Sequence, residues 1–207
     1  MGFDTREKLE RALGERLNLK PFRSLSSKSA VVKRPYRPGV HGKNRRRVTE
    51  FGKQLAEKQK FRISYGLSEK QMRSYFKKAD SSTESTGDAL MSLLERRLDN
   101  IVFKLGLAPS RSVARQLVNH GHITVNGRKV NTPGRTMKTG EMIGIRKGSE
   151  NHPVLLNAKE GIAKYNRPNW LKLDVAKMEG SIAVKPKGLE IPFDISLLVD
   201  YYSKTVK

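Results

Sequence analysis

Apolar residues recur at helical spacing through the first third of the chain. Leucines at every fourth position over 9–17 predict a short N-terminal helix. Thr49 is placed to cap a second helix that extends to about Tyr65. Ser68 and Gln71 have the spacing of a capping box, which predicts the start of a third helix. The N-terminal third is therefore predicted to be largely helical.

The most regular pattern follows a Ser/Thr-rich linker predicted at 80–86. One apolar stripe runs from Leu90 to Leu105 and predicts a single helix, which Gly106 ends. Ser110 is placed to cap the next helix, Arg111 to His120. Each of these two helices has an apolar face, so we expect both to pack against another element.

After these helices the apolar period changes to two, which predicts strands. Val125 and Val130 flank Asn126-Gly127, a dipeptide that favours the type I′ hairpin turn because both central residues need positive φ. Residues 141–146 alternate apolar and polar side chains and predict a further strand. Nearer the C-terminus the pattern predicts a helix at 154–165, strands at 170–175 and 182–185, and a helix at 195–202. The pattern therefore predicts helices on either side of strands.

The overall charge points to a class of partner. Lysine and arginine number 42 against 20 acidic residues, a formal charge of +22 at pH 7 and a pI near 10.4. Such a charge is complementary to phosphate, so nucleic acid and an anionic membrane surface are both candidates. No segment is apolar enough to span a bilayer or to act as a signal peptide. A soluble, cytoplasmic protein that binds nucleic acid is therefore favoured.

The chain contains no cysteine and four histidines. Disulfides and thiolate metal sites are therefore excluded, and the histidines do not form a ligand set with nearby carboxylates. No nucleophile, acid–base pair or Gly-rich phosphate loop indicates an enzyme. We therefore expect the protein to bind neither a metal ion nor a cofactor.

The basic residues are concentrated in two stretches without acidic residues. Arg16–Thr49 has eleven basic residues among serine, proline and glycine and shows no hydrophobic period, so it is predicted to become ordered only on RNA. Asn100–Gly140 has seven basic residues and is strongly patterned, so it is predicted to be folded. Two kinds of basic surface are therefore expected.

The folded stretch has the side chains expected of a phosphate-binding surface. Arg111 and Arg115 lie one helical turn apart, where each guanidinium can take a phosphate bidentately. The stretch contains no carboxylate to pair them, and ordinary solvated charges are the alternative interpretation. His120 and His122 fit either an RNA contact or a capping or packing role. The remaining polar candidates are Asn119, Arg128, Lys129, Arg135 and Lys138.

The run from Leu94 to Arg146, which includes RLDNIVFKLGLAPSRSVARQLVNHGHITVNGRKV, resembles a small RNA-binding module. The module was first described in ribosomal protein four and is shared with several RNA-acting enzymes. The flanks narrow the resemblance to the bacterial family of small-subunit ribosomal protein four. The matching segments are RPYRPGVHG at 34–42, EKQKFRISYGLSEKQMRSYFKKA at 57–79, RPNWLKLDVAKMEG at 167–180 and DISLLVDYYSK at 194–204. Many members have an N-terminal zinc-binding cysteine cluster; this chain resembles the zinc-free branch, so nothing is implied about the fold before Arg34.

The resemblance implies an α+β architecture in which a small antiparallel sheet with helices is inserted into a mostly helical domain. Residues 1–49 would form a basic N-terminal extension, partly ordered only on RNA. Residues 50–87 together with 186–207 would form the helical domain. Residues 88–185 would form the RNA-binding module.

The resemblance also implies a structural protein of the small ribosomal subunit that binds a ribosomal RNA junction early in assembly. Such a protein contributes to translational accuracy, contacts small-subunit protein five and lies near the messenger RNA entry path; protein three is a second candidate neighbour. The residues expected to contact ribosomal RNA are Lys53, Arg62, Lys70, Arg73, Arg111, Arg115, His120, His122, Arg128 and Lys129. Those expected to contact messenger or ribosomal RNA are Lys43, Arg45, Arg46 and Arg47.

Arg97-Leu98-Asp99 favours a different class of protein, because pseudouridine synthases carry their catalytic aspartate in the same tripeptide. Here it lies within a predicted helix beside Arg96 and Lys104, and ion pairing on the helix surface is the simpler interpretation. An enzyme would need Asp99 for turnover, whereas a structural protein should keep its RNA binding when Asp99 is replaced by asparagine. A free-standing RNA chaperone is a third hypothesis, and it would be missing from salt-washed small subunits.

Overall fold

The computed structural model describes residues 6–17, 19–20, 26–27, 29–44, 47–162, 165–186, 188 and 192–205. Within this part of the chain the helices are α1 (Arg6–Leu13), α2 (Ala30–Lys33), α3 (Glu50–Ser64), α4 (Glu69–Asp80), α5 (Thr86–Glu95), α6 (Leu98–Lys104), α7 (Arg111–Asn119), α8 (Pro153–Gly161) and α9 (Ile195–Thr205). The strands are β1 (Ile123–Val125), β2 (Arg128–Lys129), β3 (Met142–Ile145), β4 (Leu171–Asp174) and β5 (Glu179–Ile182). The predicted α+β class is confirmed.

The chain divides into two compact units. The terminal unit consists of Met1–Arg73 and Ile191–Lys207, and the central unit consists of Ser74–Glu190. The central unit contains the five strands. By this division residues 1–49 belong to the terminal unit, and their predicted ordering on RNA stays a prediction.

Local sequence signals fix the ends of the helices in the terminal unit. The Thr49 hydroxyl accepts a hydrogen bond from the Gly52 N–H at 3.2 Å and caps α3 as predicted. The helix ends at Ser64, one residue before the predicted end at about Tyr65. The predicted capping box also forms at the start of α4. The Gln71 N–H donates to the Ser68 hydroxyl at 3.3 Å, and the Ser68 N–H donates to Gln71 Oε1 at 3.0 Å.

The core of the terminal unit forms where α3 packs on α9. Phe61 of α3 is fully buried, and its ring meets Phe193 edge-on at a centroid distance of 5.2 Å. Tyr202 of α9 is also fully buried, and its hydroxyl donates to Glu69 Oε1 at 3.1 Å. Glu69 accepts a second hydrogen bond from Lys58 Nζ at 3.0 Å. These polar groups at the edge of the core are therefore paired, as burial requires.

The central unit is built on one antiparallel sheet with the strand order β2-β1-β3-β5-β4. The β1–β2 hairpin turns at Asn126-Gly127 with φ of 49° and 78°, as the type I′ prediction requires. Ile123 and Val125 alternate into the core, where they join Leu98 of α6 and Leu117 of α7. Because α6 and α7 also pack on each other, helices and hairpin share one hydrophobic core.

The prediction of a single helix from Leu90 to Leu105 is wrong, because the helical conformation is interrupted between α5 and α6. Arg97 has an extended backbone, with φ of −65° and ψ of 137°. The Leu98 N–H then donates to the Arg135 carbonyl at 2.9 Å instead of continuing the helix. The apolar stripe runs through this break, so periodicity alone does not detect it.

The strand predicted at 182–185 also differs from the structure. β5 spans Glu179–Ile182, because β4 and β5 form a tight hairpin whose turn includes Met178 at a φ of 53°. The helix predicted at 154–165 is shorter, since α8 ends at Gly161. The predicted C-terminal helix is confirmed as α9.

Candidate nucleic-acid interface

Arg111 and Arg115 project from α7, which the sequence singles out as a phosphate-binding helix. Ser110 caps this helix as predicted, with its hydroxyl accepting from the backbone N–H of the third helical residue at 3.4 Å. Leu117 and Val118 bury the apolar face of α7 in the core of the central unit. Both arginines are half-buried, and the Arg115 side chain is 27% exposed.

A buried ion pair fixes the orientation of Arg115. Its Nη2 lies 2.6 Å from Asp99 Oδ2, and Arg97 Nη2 lies 2.8 Å from the same oxygen. The side chains of Arg97 and Asp99 are each only 3% exposed. Burial acts to lower the pKa of Arg97, but the Asp99 carboxylate outweighs it and raises this pKa overall. The prediction that Asp99 forms an ion pair on the helix surface is therefore wrong, because the pair is buried. The prediction that Arg115 has no carboxylate partner is also wrong.

Asn100 orients Arg111 in a similar way. Arg111 Nε donates to Asn100 Oδ1 at 2.8 Å, and the guanidinium carbon lies 5.0 Å from the centroid of the Phe103 ring. Asn100 in turn donates through Nδ2 to Glu95 Oε2 at 2.8 Å. Residues of α5 and α6, which the sequence indicates only as packing partners, thus hold a surface arginine in place.

A tyrosine from α4 joins the same polar network. The Tyr75 hydroxyl accepts from Arg97 Nη1 at 2.7 Å and donates to the Gly134 carbonyl at 3.3 Å. Tyr75 lies on the apolar face of α4 in the sequence pattern, which predicts packing but no partner for its hydroxyl. The network therefore links α4, the start of α6 and the loop before β3.

Two exposed cations form the edge of the sheet next to the hairpin turn. Arg128 and Lys129 make up β2, and both are exposed. Lys129 extends back over Gly121, where an added Cβ would lie 2.2 Å from Lys129 Cε. Gly121 has a φ of 75° and follows α7, so Lys129 brings a cation to the negative end of that helix.

Arg135 has an acidic partner just beyond the stretch without acidic residues. Its Nη2 lies 2.7 Å from Glu141 Oε1, and the Lys138 N–H donates to Glu141 Oε2 at 2.7 Å. Burial acts to raise the pKa of Glu141, but these hydrogen bonds and the Arg135 charge lower it overall. The expectation that no carboxylate pairs the basic residues of this stretch is wrong for Arg135 as well.

The two predicted histidines lie close together. The ring centroids of His120 and His122 are 6.2 Å apart. His120 is exposed at the end of α7, and His122 is half-buried at the start of β1. His122 Nδ1 lies 3.0 Å from the Ser149 hydroxyl, so its role includes an internal hydrogen bond.

The other predicted contacts belong to the terminal unit. The exposed ones are Lys43, Arg47, Lys53, Lys70 and Arg73. Lys53 and Arg73 each have an acidic neighbour on their own helix. Arg62 is half-buried and donates through Nε to Gln59 Oε1 at 2.9 Å. Arg45 and Arg46 lie outside the described residues.

A groove of about 900 Å³ in the terminal unit has several basic residues in its wall, including Arg37 and Arg47. Arg11 donates through Nε to the Tyr36 carbonyl at 3.1 Å. The Tyr36 ring centroid lies 5.1 Å from the Arg11 guanidinium carbon and 5.4 Å from Lys43 Nζ. The groove therefore combines positive charge with an aromatic ring.

Among the residues that the structure describes, no helix is long and apolar enough to cross a membrane. No group of three or more His, Asp or Glu side chains among them is arranged to hold a metal ion.

Two known protein families match consecutive parts of the chain. The family described as "S4 domain" matches residues 96–143, and the one described as "Ribosomal protein S4/S9 N-terminal domain" matches residues 4–95. The first match covers α6, α7 and the β1–β2 hairpin. The fold and the site thus define an RNA-binding module of the S4 type.

Curated relatives match nearly the whole chain. Small ribosomal subunit protein uS4 of Acetivibrio thermocellus is 43% identical over 199 residues, which cover 95% of this chain and 96% of that protein. The uS4 proteins of Oleidesulfovibrio alaskensis and of Syntrophomonas wolfei are 45% and 46% identical, over 97% and 92% of this chain and 98% and 93% of their own lengths. The chain belongs to the uS4 family of small ribosomal subunit proteins, as the sequence resemblance predicts. This is a family of ribosomal structural proteins and not of enzymes.

Proposed function

We propose that this protein is a structural constituent of the small ribosomal subunit and binds a folded junction of its ribosomal RNA. The proposed surface consists of α7 and the β1–β2 hairpin. The observation that carries the proposal is the fixed arrangement of Arg111 and Arg115 on α7, held by Asn100 and Asp99. The names of the relatives support the choice of ribosomal RNA.

Guanidiniums that are already oriented are well suited to bind phosphate. A side chain held in one conformation loses little entropy when its ligand binds. Charge-assisted hydrogen bonds from arginine to phosphate are also stronger than neutral ones and fix the direction of approach. Arg128 and Lys129, on the sheet edge, add positive charge beside this rigid helix. The expected mode is recognition of backbone position and RNA shape with little reading of bases.

The direct test is a binding series across salt concentrations that include the physiological one. The protein is titrated with a small-subunit ribosomal RNA junction and with an unrelated structured RNA of equal length. We expect the junction to bind about a thousandfold more tightly or better, and the Arg111→Ala, Arg115→Ala variant to lose most of that margin. Equal binding of both RNAs by the wild type and this variant would show general polycation behaviour and refute the proposal.

Lys172 and Lys177 provide a matched control for the arginine variant. Both are exposed and belong to β4 or its following turn, at the sheet edge opposite β2. The Lys172→Ala, Lys177→Ala variant removes the same number of positive charges, so it tests for a general charge effect. We expect it to keep the preference for the junction.

Replacing Arg128 and Lys129 by alanine is expected to weaken binding to both RNAs alike. Both side chains are exposed, so the fold should be unaffected. If each contacts one phosphate, the slope of log affinity against log salt becomes shallower by about 1.5 to 2. The slopes are measured by fluorescence anisotropy, with the Lys172→Ala, Lys177→Ala variant as control. A slope equal to that of the wild type would exclude phosphate contacts by this strand.

We also propose that the basic side chains of the terminal unit contact RNA near the messenger RNA entry path. Lys43 and Arg47 are exposed, and the groove that they line contains Tyr36, so positive charge and an aromatic ring lie together there. Crosslinking of messenger RNA to reconstituted subunits is expected to mark this segment. Lys43→Ala, Arg47→Ala subunits should crosslink less, and equal crosslinking would contradict the assignment.

Membership of the uS4 family further supports early binding during subunit assembly, an effect on translational accuracy, and contact with small-subunit protein five. Protein three is a second candidate neighbour. Protein–protein crosslinking in assembled subunits tests both partners. Ordered reconstitution tests the assembly step, since later proteins should fail to join when this one is omitted.

The enzyme hypothesis requires an accessible Asp99, and its environment argues against that. Both carboxylate oxygens accept hydrogen bonds from Arg97, at 3.1 Å and 2.8 Å, and the side chain is 3% exposed. A nucleophile would have to leave this pair before it could reach a substrate. The chaperone hypothesis is tested by retention on salt-washed small subunits, which we expect.

A further inference from the structure

Three of the four histidines of the chain meet beside the β1–β2 hairpin. The ring centroid of His122 lies 4.7 Å from that of His152 and 6.2 Å from that of His120. His120 is at the C-terminal end of α7, and His152 caps the N-terminus of α8. Ser149 contributes a hydroxyl 3.0 Å from His122 Nδ1. The cluster therefore joins residues that are distant in sequence.

The charged groups that act on His122 are all basic. Burial is the main cause that lowers the pKa of His122. His152, His120, Arg146 and Lys129 lower it further. They come from α8, α7, the end of β3 and β2, so the surrounding elements all oppose a positive charge on this ring. A positive charge on His122 is therefore disfavoured in the free protein, and its pKa lies below the ordinary histidine value.

The nearest acidic residue in the sequence belongs to a different environment. Glu150 follows Ser149 directly, but it is exposed and lines another cavity together with Lys159 and Lys177. His122 therefore has no anionic neighbour among the groups that dominate its titration. An oxyanion is the ligand that such a cluster fits.

We propose that His122, His152 and Ser149 form, with Lys129 and Arg146, a site for an RNA backbone phosphate that takes up a proton when the phosphate binds. The inference rests on the RNA binding proposed above and adds a site to it. It extends the predicted contacts from His120 and His122 to residues before α8.

The two half-buried imidazoles have different parts in this site. His152 Nδ1 accepts the hydrogen bond from the Val154 N–H at 3.3 Å, so the hydrogen of its neutral ring is on Nε2, where it can be donated. His122 is the ring that gains the proton, because a phosphate oxygen supplies the negative charge that its surroundings lack. Its pKa is then higher in the complex than in the free protein. By linkage, RNA affinity rises as the pH falls through the pKa that His122 has in the complex. The affinity becomes constant once the pH is below the pKa that His122 has in the free protein.

The first test measures RNA affinity between about pH 8 and about pH 5.5, the range of histidine titration. Wild-type affinity is expected to rise toward the limit of about tenfold per pH unit that one linked proton allows. His122→Gln should flatten this profile, because it removes the ring that takes up the proton. His152→Asn should instead lower the affinity, because it removes a donor to the phosphate, and the asparagine retains a side chain that can cap α8. His41→Gln, at the histidine outside the cluster, should keep the wild-type pH dependence. A pH profile of His122→Gln equal to that of the wild type overturns the proposal.

The second test follows the imidazole signals by NMR in the full-length protein. The pKa of His122 is measured alone, with the RNA junction and with inorganic phosphate. A rise with RNA supports the site, and a rise with both ligands shows that free phosphate also enters it. An unchanged pKa with both overturns the proposal. If the junction has no advantage over unrelated RNA but this pKa still rises, the proposed function fails while the phosphate site stands.

Discussion

Replacing Asp99 with asparagine is expected to lower the free energy of unfolding of the central unit by about 3–5 kcal/mol, the cost of breaking a buried ion pair. Arg97 is 3% exposed and donates to both carboxylate oxygens of Asp99. Asparagine keeps the size of the side chain but removes the charge, and it places an N–H group opposite a guanidinium. The buried charge of Arg97 then has no counter-charge at this position.

Trp170 makes the loss measurable in the full chain. It is the single tryptophan, it belongs to the central unit, and it is 8% exposed, so its fluorescence should report the unfolding of that unit. We expect the urea midpoint to fall with an unchanged slope. Asp174→Asn is the matched control, because this exposed carboxylate accepts from the Ala176 N–H in a turn. Its cost should stay within about 0.5 kcal/mol, and an equally small cost for Asp99→Asn would contradict the prediction.

Replacing Asp99 with asparagine should also weaken RNA binding. The sequence-based expectation that it leaves binding largely intact depends on a surface position for Asp99, whereas the residue is buried and orients Arg115. Arg115 loses this anchor in the variant, so more conformational entropy is lost when it binds phosphate. Binding under conditions where the variant remains folded separates this effect from unfolding.

Features set by neighbouring residues could be predicted from the sequence. The Thr49 cap and the Ser68–Gln71 capping box depend on atoms within three residues of each other. The Asn126-Gly127 turn likewise depends on the φ preference of its own two residues. The change of apolar period between α7 and β1 separates the helices from the strands. These signals predict helices on either side of strands and the position of the helix–hairpin surface.

The polar partners of that surface could not be predicted, because they come together only in the fold. Arg97 and Asp99 lie within an unbroken apolar stripe, and the break there arises from a loop around Arg135 that pairs with the chain at Leu98. Arg115 lies sixteen positions from Asp99. Charge counting therefore makes the arginines appear unpaired, although tertiary contacts supply their partners. The position of β5 was missed for a related reason, since strand pairing rather than local propensity determines it.

Replacing Leu105 with alanine is expected to cost about 2–5 kcal/mol, as for other buried leucines. Leu105 is fully buried at the end of α6 and lies over Gly180 of β5. A Cβ at Gly180 would lie 2.5 Å from Leu105 Cδ1 and 2.8 Å from Cδ2, so the strand needs glycine where the leucine packs. Gly180→Ala should therefore cost about 1–3 kcal/mol through overpacking.

The double variant Leu105→Ala, Gly180→Ala should lose less free energy of unfolding than the two single variants lose together. The difference should be about 0.5–3 kcal/mol, because the new methyl group occupies space that the leucine leaves. Gly144→Ala in β3 is the control, since its Cβ would instead meet Thr124 and Glu179. Combined with Leu105→Ala, it should be additive within about 0.5 kcal/mol. Urea unfolding gives all the terms, and additivity of the 105–180 pair would refute the contact. Coupling confined to that pair would show that Leu105 packs directly on Gly180, a contact that helps to hold α6, with the residues that orient the arginines of α7, on the sheet that carries the hairpin.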